Sequence, residues 1–366
     1  MYTMQTRKQL QGIKVYSPGK PVEEVKRELG LTQVYKLASN ENPFPPLFLG
    51  PVFRRELKRV QQYPEAGCFY LRRALAKKHR IAQEQIVFGN GSDELIVMAL
   101  RAFVSSGEEV VVAQPTFLVY EIQAAVQGAR ITRIPLSGFK YDLEAMSRAA
   151  GPRTKIIFVA NPDNPSGTYC THREVKKFLK MIPKNTLVFM DEAYFEFAPG
   201  DFPKTRELLK EFPNLLCTRT FSKAYGLAGL RIGYGIMSSR IAAALQKVRE
   251  PFNVNRLAQA AAVEALKNKE YLKKVLTHTK KEKKYFYRQF EELGVEFIES
   301  ATNFVLVNWK RDTRKVYDFL LRRGIIVRQL QGWGWNNFFR VTVGLHKENE
   351  KFIRELRRFL QEERKK

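Results

Sequence analysis

The chain has 366 residues, 44% of them hydrophobic and 12% aromatic, which is enough apolar material for a folded protein of two or three structural units. Disordered, collagen-like and coiled-coil architectures are excluded by that composition. Sixty-three basic residues against 37 acidic ones give a formal charge of +26, which predicts attraction to anions, whether nucleic acid or phosphorylated metabolites.

The N-terminal stretch MYTMQTRKQLQGIK lacks an apolar core, and no run of eighteen apolar residues follows it. Neither a secretory signal nor a membrane span is expected, and the expected location is cytoplasmic. Cys68, Cys170 and Cys217 are odd in number, far apart and free of CxxC spacing. They are expected as buried thiols, with no disulfide framework and no metal site.

The first 35 residues do not fit a strand–helix alternation and contain the turn-forming SPGKP. They read as an arm packed on another unit. From about residue 70 to 250, short apolar runs alternate with amphipathic stretches, and strands are expected at 85–88, 109–113, 129–134, 155–160, 187–190, 215–220 and 231–236. This is the pattern of an α/β domain on a largely parallel, seven-stranded sheet. After Pro251 come long charged helices, mixed strands at 300–309 and 339–343, and a final amphipathic helix. These read as a smaller α+β unit, dividing the chain into 1–35, 36–250 and 251–366. The densest basic stretch, 267–288, interleaves acidic and apolar residues at helical spacing. It reads as a solvated helix face, and no nucleic-acid partner is expected.

In open α/β sheets, ligands sit beyond the carboxyl ends of the strands. The loop after Val87 carries GNGSDEL, where Ser92 and Asp93 are placed to cap a helix starting near Glu94, and unpaired amides at such a start bind phosphate. NPDNPSG (161–167) holds Asn164 between two X-Pro steps. Asp191 follows an apolar strand, where a carboxylate requires a cationic partner. Thr220, Ser222, Lys223 and Arg231 then fall within twelve residues, a cluster suited to gripping a phosphate beside a reactive amine.

Taken together, these groups form a set. A carboxylate at a strand end, a lysine thirty-two residues later, a hydroxyl just before it and an arginine eight after it match the needs of pyridoxal phosphate. On these residues the chain resembles the fold-type-I pyridoxal-phosphate aminotransferases. Over nearly its whole length it is similar to the histidinol-phosphate aminotransferase family. The motifs are VYSPGKPVEEVKRELG, LASNENPF, QQYPE, GNGSDEL, QPTFLVY, NPDNPSG, DEAY, FSKAYGLAGLRIGY, IIVRQL and FFRVTVG.

The resemblance implies a large cofactor-binding domain with a smaller α+β domain. Lys223 would be the Schiff-base lysine and proton carrier, and Asp191 the partner of the pyridine nitrogen. Asn164 and Tyr194 would meet the phenolic oxygen, with Phe117 stacked on the ring. Ser92, Asp93, Ser222 and Arg231 would cup the phosphate, and Tyr63 would reach in from the other subunit of a homodimer with shared active sites. On the substrate side, Arg340 would take the α-carboxylate, Tyr16 and Arg328 the substrate's phosphate, and Asn40 a further polar contact.

The implied reaction is transamination between histidinol phosphate and 2-oxoglutarate, in histidine biosynthesis. Alternatives on the same fold are an aromatic amino-acid aminotransferase and a threonine-phosphate decarboxylase; a nucleic-acid-binding protein on a degenerate scaffold is the alternative from another class. The aromatic segment QGWGWNN (331–337) departs from the family pattern. Trp333 and Trp335 either pack the small domain or widen acceptance toward aromatic amino acids.

Overall fold

A computed structural model describes residues 4–16 and 18–365, so Ser17 of the SPGKP turn lies outside the described residues. A short strand, β1 (Tyr35–Lys36), precedes the main sheet. That sheet consists of β2 (Ile86–Gly89), β3 (Glu109–Gln114), β4 (Arg130–Pro135), β5 (Thr154–Ala160), β6 (Leu187–Asp191), β7 (Leu215–Thr220) and β8 (Gly233–Met237). Its order is β2-β8-β7-β6-β5-β3-β4. Six strands run parallel and β8 alone runs against them. The central strands are apolar almost without interruption because both faces are covered: every residue of β6 is buried, as are six of the seven in β5.

The seventh strand starts two residues later than the expected 231–236. Arg231 sits at φ +55°, turning the chain before β8 begins. Gly233 and Gly235 let β8 lie close to its neighbours; a Cβ on Gly233 would stand 2.4 Å from the Ser92 amide nitrogen.

A second sheet is formed by β9 (Glu296–Ile298), β10 (Phe304–Asn308), β12 (Arg328–Leu330) and β13 (Trp335–Thr342), in the antiparallel order β12-β13-β10-β9. Between β10 and β12, β11 (Ile325–Ile326) pairs in parallel with β1. Leu37, just after β1, is buried in the same apolar cluster as Phe286, Val305, Val341 and Phe352. The strand pairing and this burial tie the segment after the arm to the smaller sheet.

The basic stretch forms the helix Lys269–Leu293, which buries Val275, Thr279, Phe286 and Phe290 and leaves Lys273, Lys274, Lys280, Lys281 and Lys284 exposed. An amphipathic helix docked on a core accounts for this run of charge. All three cysteines are free and buried, and burial holds their thiols above the usual range. No helix among the described residues is long and apolar enough to cross a membrane.

Candidate active site

One cavity gathers thirteen of the fourteen expected site residues. Topology explains the convergence. Gly89, Gln114, Ala160, Asp191 and Thr220 end β2, β3, β5, β6 and β7, and the groups that follow them open onto one rim of the sheet. Because β8 is antiparallel, Arg231, two residues before it, reaches the same rim.

Asp191 lies at the floor and is buried. Its carboxylate accepts the Tyr120 hydroxyl at 2.8 Å, the Thr218 hydroxyl at 3.1 Å and the Ala193 N–H at 3.1 Å. Three neutral donors surround it, and no cationic side chain among the described residues pairs with it. Burial outweighs the three donors and raises its pKa to about 6. A cationic ligand nitrogen at this carboxylate would restore its charge.

The Lys223 Nζ donates to the Ser39 carbonyl at 3.2 Å and stands 5.9 Å from the Tyr194 ring centroid. Burial, followed by the nearby Arg340 guanidinium, lowers its pKa from 10.5 to about 8. A neutral amine is the nucleophile, so the sign is clear: protonated below about pH 8, Lys223 becomes reactive above it, where an ordinary lysine would still be charged. Labelling of this amine by a carbonyl reagent, followed by mass spectrometry, is expected to reach half its maximal rate near pH 8. A midpoint above pH 10 would contradict that environment.

At the other side of the floor, Gly91 at φ +82° precedes the helix Ser92–Phe103. The structure corrects the expected cap. The helix starts at Ser92 instead of near Glu94, and neither Ser92 nor Asp93 caps it; the Asn90 N–H is taken by Glu94 at 2.5 Å. The positive φ at 91 favours glycine, and a Cβ there would lie 2.5 Å from an Arg231 side-chain nitrogen, which would have to shift. Ser92 and Asp93 therefore occupy the first helical turn, with Arg231 3.3 Å from the Asp93 carboxylate and Ser222 also at the cavity wall. An N-terminal turn, two hydroxyls and a guanidinium suit a phosphate.

Above the floor, the Tyr194 hydroxyl accepts from Asn40 Nδ2 at 2.7 Å. The Asn40 backbone N–H donates to the Thr342 hydroxyl, which donates back to Asn40 Oδ1. Phe117 meets Tyr120 edge to face at 5.5 Å, and Tyr120 in turn stacks on Phe158. Arg340 is buried, donating to Asn164 Oδ1 and, at 2.9 Å, to the Ala38 carbonyl. Its Nε has no hydrogen-bond partner, and among the described residues no carboxylate pairs with it. Burial lowers its pKa to about 10. A buried guanidinium without a counter-ion is a seat for an external anion.

Arg328 and Arg340 stand directly opposite each other on β12 and β13, with a register shift just beyond, between Gln329 and Leu330. Both side chains line the cavity. The Arg328 guanidinium lies 5.9 Å from the Tyr16 ring centroid and 5.1 Å from that of Trp333. Like charges in such a cross-strand pair repel, and two anionic groups on one ligand would remove that repulsion.

Tyr63 is the exception. It is 78% exposed, stacks on Phe252 at 4.7 Å and does not line its own chain's cavity. Conversely, Tyr120, Thr218 and Ser39 contact the expected groups although sequence reasoning did not single them out. Tyr120 closes the recognised motif QPTFLVY, but only the fold shows that its hydroxyl points at Asp191. Sequence reasoning also missed a buried ion pair behind the site. Arg219 donates to Glu192 at 2.8 Å and to the Thr205 hydroxyl at 3.0 Å, with its guanidinium 3.3 Å from the Phe195 ring centroid. A charged residue within the apolar strand LLCTRT was its only signal.

Comparisons with known proteins agree with this geometry. Residues 32–356 match the family model for class I and II aminotransferases. Histidinol-phosphate aminotransferase from Moorella thermoacetica is 44% identical over 97% of this chain and 92% of its own length. The enzyme of that name from Brevibacillus brevis is 43% identical over 96% and 97%. Among solved structures, histidinol-phosphate aminotransferase from Sinorhizobium meliloti in complex with pyridoxal-5'-phosphate superposes with a TM-score of 0.90. It is 29% identical, over 99% of both chains.

Proposed function

The chain belongs to the class I and II aminotransferases, and within them to the histidinol-phosphate aminotransferases, and from that membership we propose that it exchanges an amino group between histidinol phosphate and 2-oxoglutarate. In the biosynthetic direction this aminates imidazole acetol phosphate at the expense of glutamate. The observation that carries the substrate assignment is the facing pair Arg328 and Arg340, buried or half-buried in one cavity. Glutamate or 2-oxoglutarate supplies two carboxylates to such a pair, and the phosphate ester supplies one dianionic phosphate.

The cofactor is pyridoxal phosphate, and the donor set fits it: a buried carboxylate lacking a protein cation, an amine with a lowered pKa, and a helix start beside an arginine. When bound, it supplies an electron sink that acidifies the α-carbon of an attached amine. The protein's own groups do the rest. Lys223 anchors the cofactor and moves a proton to and from the α-carbon. Asp191 holds the ring nitrogen charged. Asn164 and Tyr194 bind the phenolic oxygen, Phe117 covers the ring, and Ser92, Asp93, Ser222 and Arg231 hold the phosphate.

Arg340 takes the carboxylate of glutamate, while Arg328 with Tyr16 takes the substrate's phosphate and Asn40 orients the substrate. Loss of Arg328 then separates the two half-reactions. Charge-assisted hydrogen bonds contribute about 1.5–3 kcal/mol each, so Arg328→Ala is expected to lower kcat/KM for histidinol phosphate about a hundredfold. The effect on an unphosphorylated amine such as histidinol is expected to stay within about threefold. Steady-state kinetics on both amines checks this, and equal losses would contradict the phosphate role.

The reading also includes a homodimer in which Tyr63 completes the phosphate cup of the partner's site. Its support is a concentration of exposed apolar side chains along one stretch of sequence: Leu57, Val60, Phe69 and Tyr70 are exposed along with Tyr63. If sites are shared, mixing Lys223→Ala with Tyr63→Ala subunits creates one intact site per hybrid dimer. Activity above that of either parent is expected, and none above the parents would contradict sharing. Within each subunit the division is an arm over 1–35, a cofactor-binding domain over 36–250, whose first residues pair and pack with the small domain, and the small domain over 251–366. A cytoplasmic location, checkable by cell fractionation, suits charged metabolites of this kind.

A further inference from the structure

We propose that Trp333 is a positioning residue that fixes Arg328 for the phosphate end of the substrate. The inference rests on the functional reading above and deepens its substrate site. Trp333 ends a single 3-10 turn, Gln331–Trp333, between β12 and β13, and Gly334 follows at φ +77°. Its indole is buried, and its Nε1–H donates to the Thr116 carbonyl at 2.7 Å. Thr116 directly precedes Phe117 in the loop after β3. One side chain of the smaller sheet is thereby anchored to the loop of the main sheet that carries the expected ring-covering residue.

With its only polar hydrogen committed to that carbonyl, the indole can offer Arg328 only its π system. The guanidinium lies 5.1 Å from the ring centroid, within range for a cation–π attraction. Tyr16 approaches the same guanidinium from the arm. Arg340, directly across the strand pair, works against this placement by like-charge repulsion. Trp333 and Arg328 also stand on the wall shared by the active-site cavity and a second, outer cavity lined by arm residues that include Gln9, Ile13, Tyr16 and Lys20. The outer cavity also borders the guanidinium and is a second space open to it when the indole no longer faces it. Trp335 has a different job. It packs on Phe139 and Phe338 and does not line the site.

The test uses cofactor-loaded protein carrying Lys223→Ala, which binds amines without turnover, and reads dissociation constants of histidinol phosphate and of unphosphorylated histidinol by calorimetry. Trp333→Leu is expected to weaken histidinol phosphate about tenfold and histidinol less than about twofold. Trp333→Phe, which keeps an aromatic face, is expected to retain most of the preference. In an Arg328→Ala background, Trp333→Leu should add almost nothing, because the two residues act as one unit. Equal weakening of both ligands, or an undiminished effect without Arg328, would overturn the positioning role. If the protein with Trp333 intact shows no preference for the phosphorylated ligand, the failure lies in the substrate reading itself. Melting temperatures of each variant separate these outcomes from misfolding.

Discussion

Lys223→Ala is expected to abolish amino-group transfer, leaving less than about one part in ten thousand of the wild-type rate, because it removes a nucleophile and a proton carrier together. The site contains no evident substitute. Among the described residues lining the cavity, Lys223 is the one lysine. Of the three tyrosines there, Tyr120 and Tyr194 hold their protons too firmly, burial having raised the Tyr194 pKa to about 12 and that of Tyr120 well above its usual value, and Tyr16 faces the Arg328 guanidinium. The fold should survive, since the amine makes one 3.2 Å hydrogen bond and its loss removes a charge that burial disfavours. Stopped assays of glutamate formation, with a melting curve on the same sample, check both parts. Substantial turnover in the variant would sink the assignment.

Asp191→Asn is expected to have the next largest effect, about a thousandfold on kcat. An ion pair at contact under an effective dielectric of about 20 is worth roughly 5 kcal/mol gross, and part of that is recovered as a neutral hydrogen bond. The variant is nearly isosteric: with its amide oxygen in the place of Oδ1 it still accepts from the Thr218 hydroxyl and the Ala193 N–H, while its NH2 faces the Tyr120 hydroxyl, which can turn to accept. Folding should therefore be little changed, and so should capture of the cofactor's phosphate on the far side of the floor. A drop in kcat with retained cofactor content is the expected pattern. Unchanged kcat would show that the ring nitrogen needs no anionic partner.

Much of this site was legible in the sequence because of how α/β sheets are built. Most short apolar runs became buried strands, the edge strand β4 being the exception, with no residue fully buried, and the polar groups after the central strands fell on one rim. Asp191, Lys223 and Arg231 could thus be grouped from spacing alone, and the family resemblance supplied their individual roles. What stayed hidden required pairing information. The opposition of Arg328 and Arg340 depends on the register of β12 against β13 and on the shift after Gln329. Those two arginines are twelve positions apart, and the tight 331–334 turn between them has no pattern that fixes a register.

Local chemistry was harder still. Ser92 and Asp93 looked like caps because Ser-Asp before an apolar run usually is one. Gly91, at φ +82°, is the residue that precedes the helix, and Ser92 is its first residue instead. The donors around Asp191 come from three separate segments, at 120, 193 and 218. Nothing in a single segment announces such a cluster. The same holds for the Arg219–Glu192 pair, whose partners are twenty-seven residues apart on neighbouring strand ends.

The central claim is the amino-group exchange itself, and its most direct measurement is a single-turnover experiment. Cofactor-loaded protein is mixed with histidinol phosphate alone, the keto product is identified by mass spectrometry, and 2-oxoglutarate is then added and glutamate quantified. One equivalent of imidazole acetol phosphate per site, followed by one of glutamate, is the predicted result, the two-step pattern of ping-pong transfer. Release of carbon dioxide, or transfer from phenylalanine or tyrosine but not from histidinol phosphate, would contradict it.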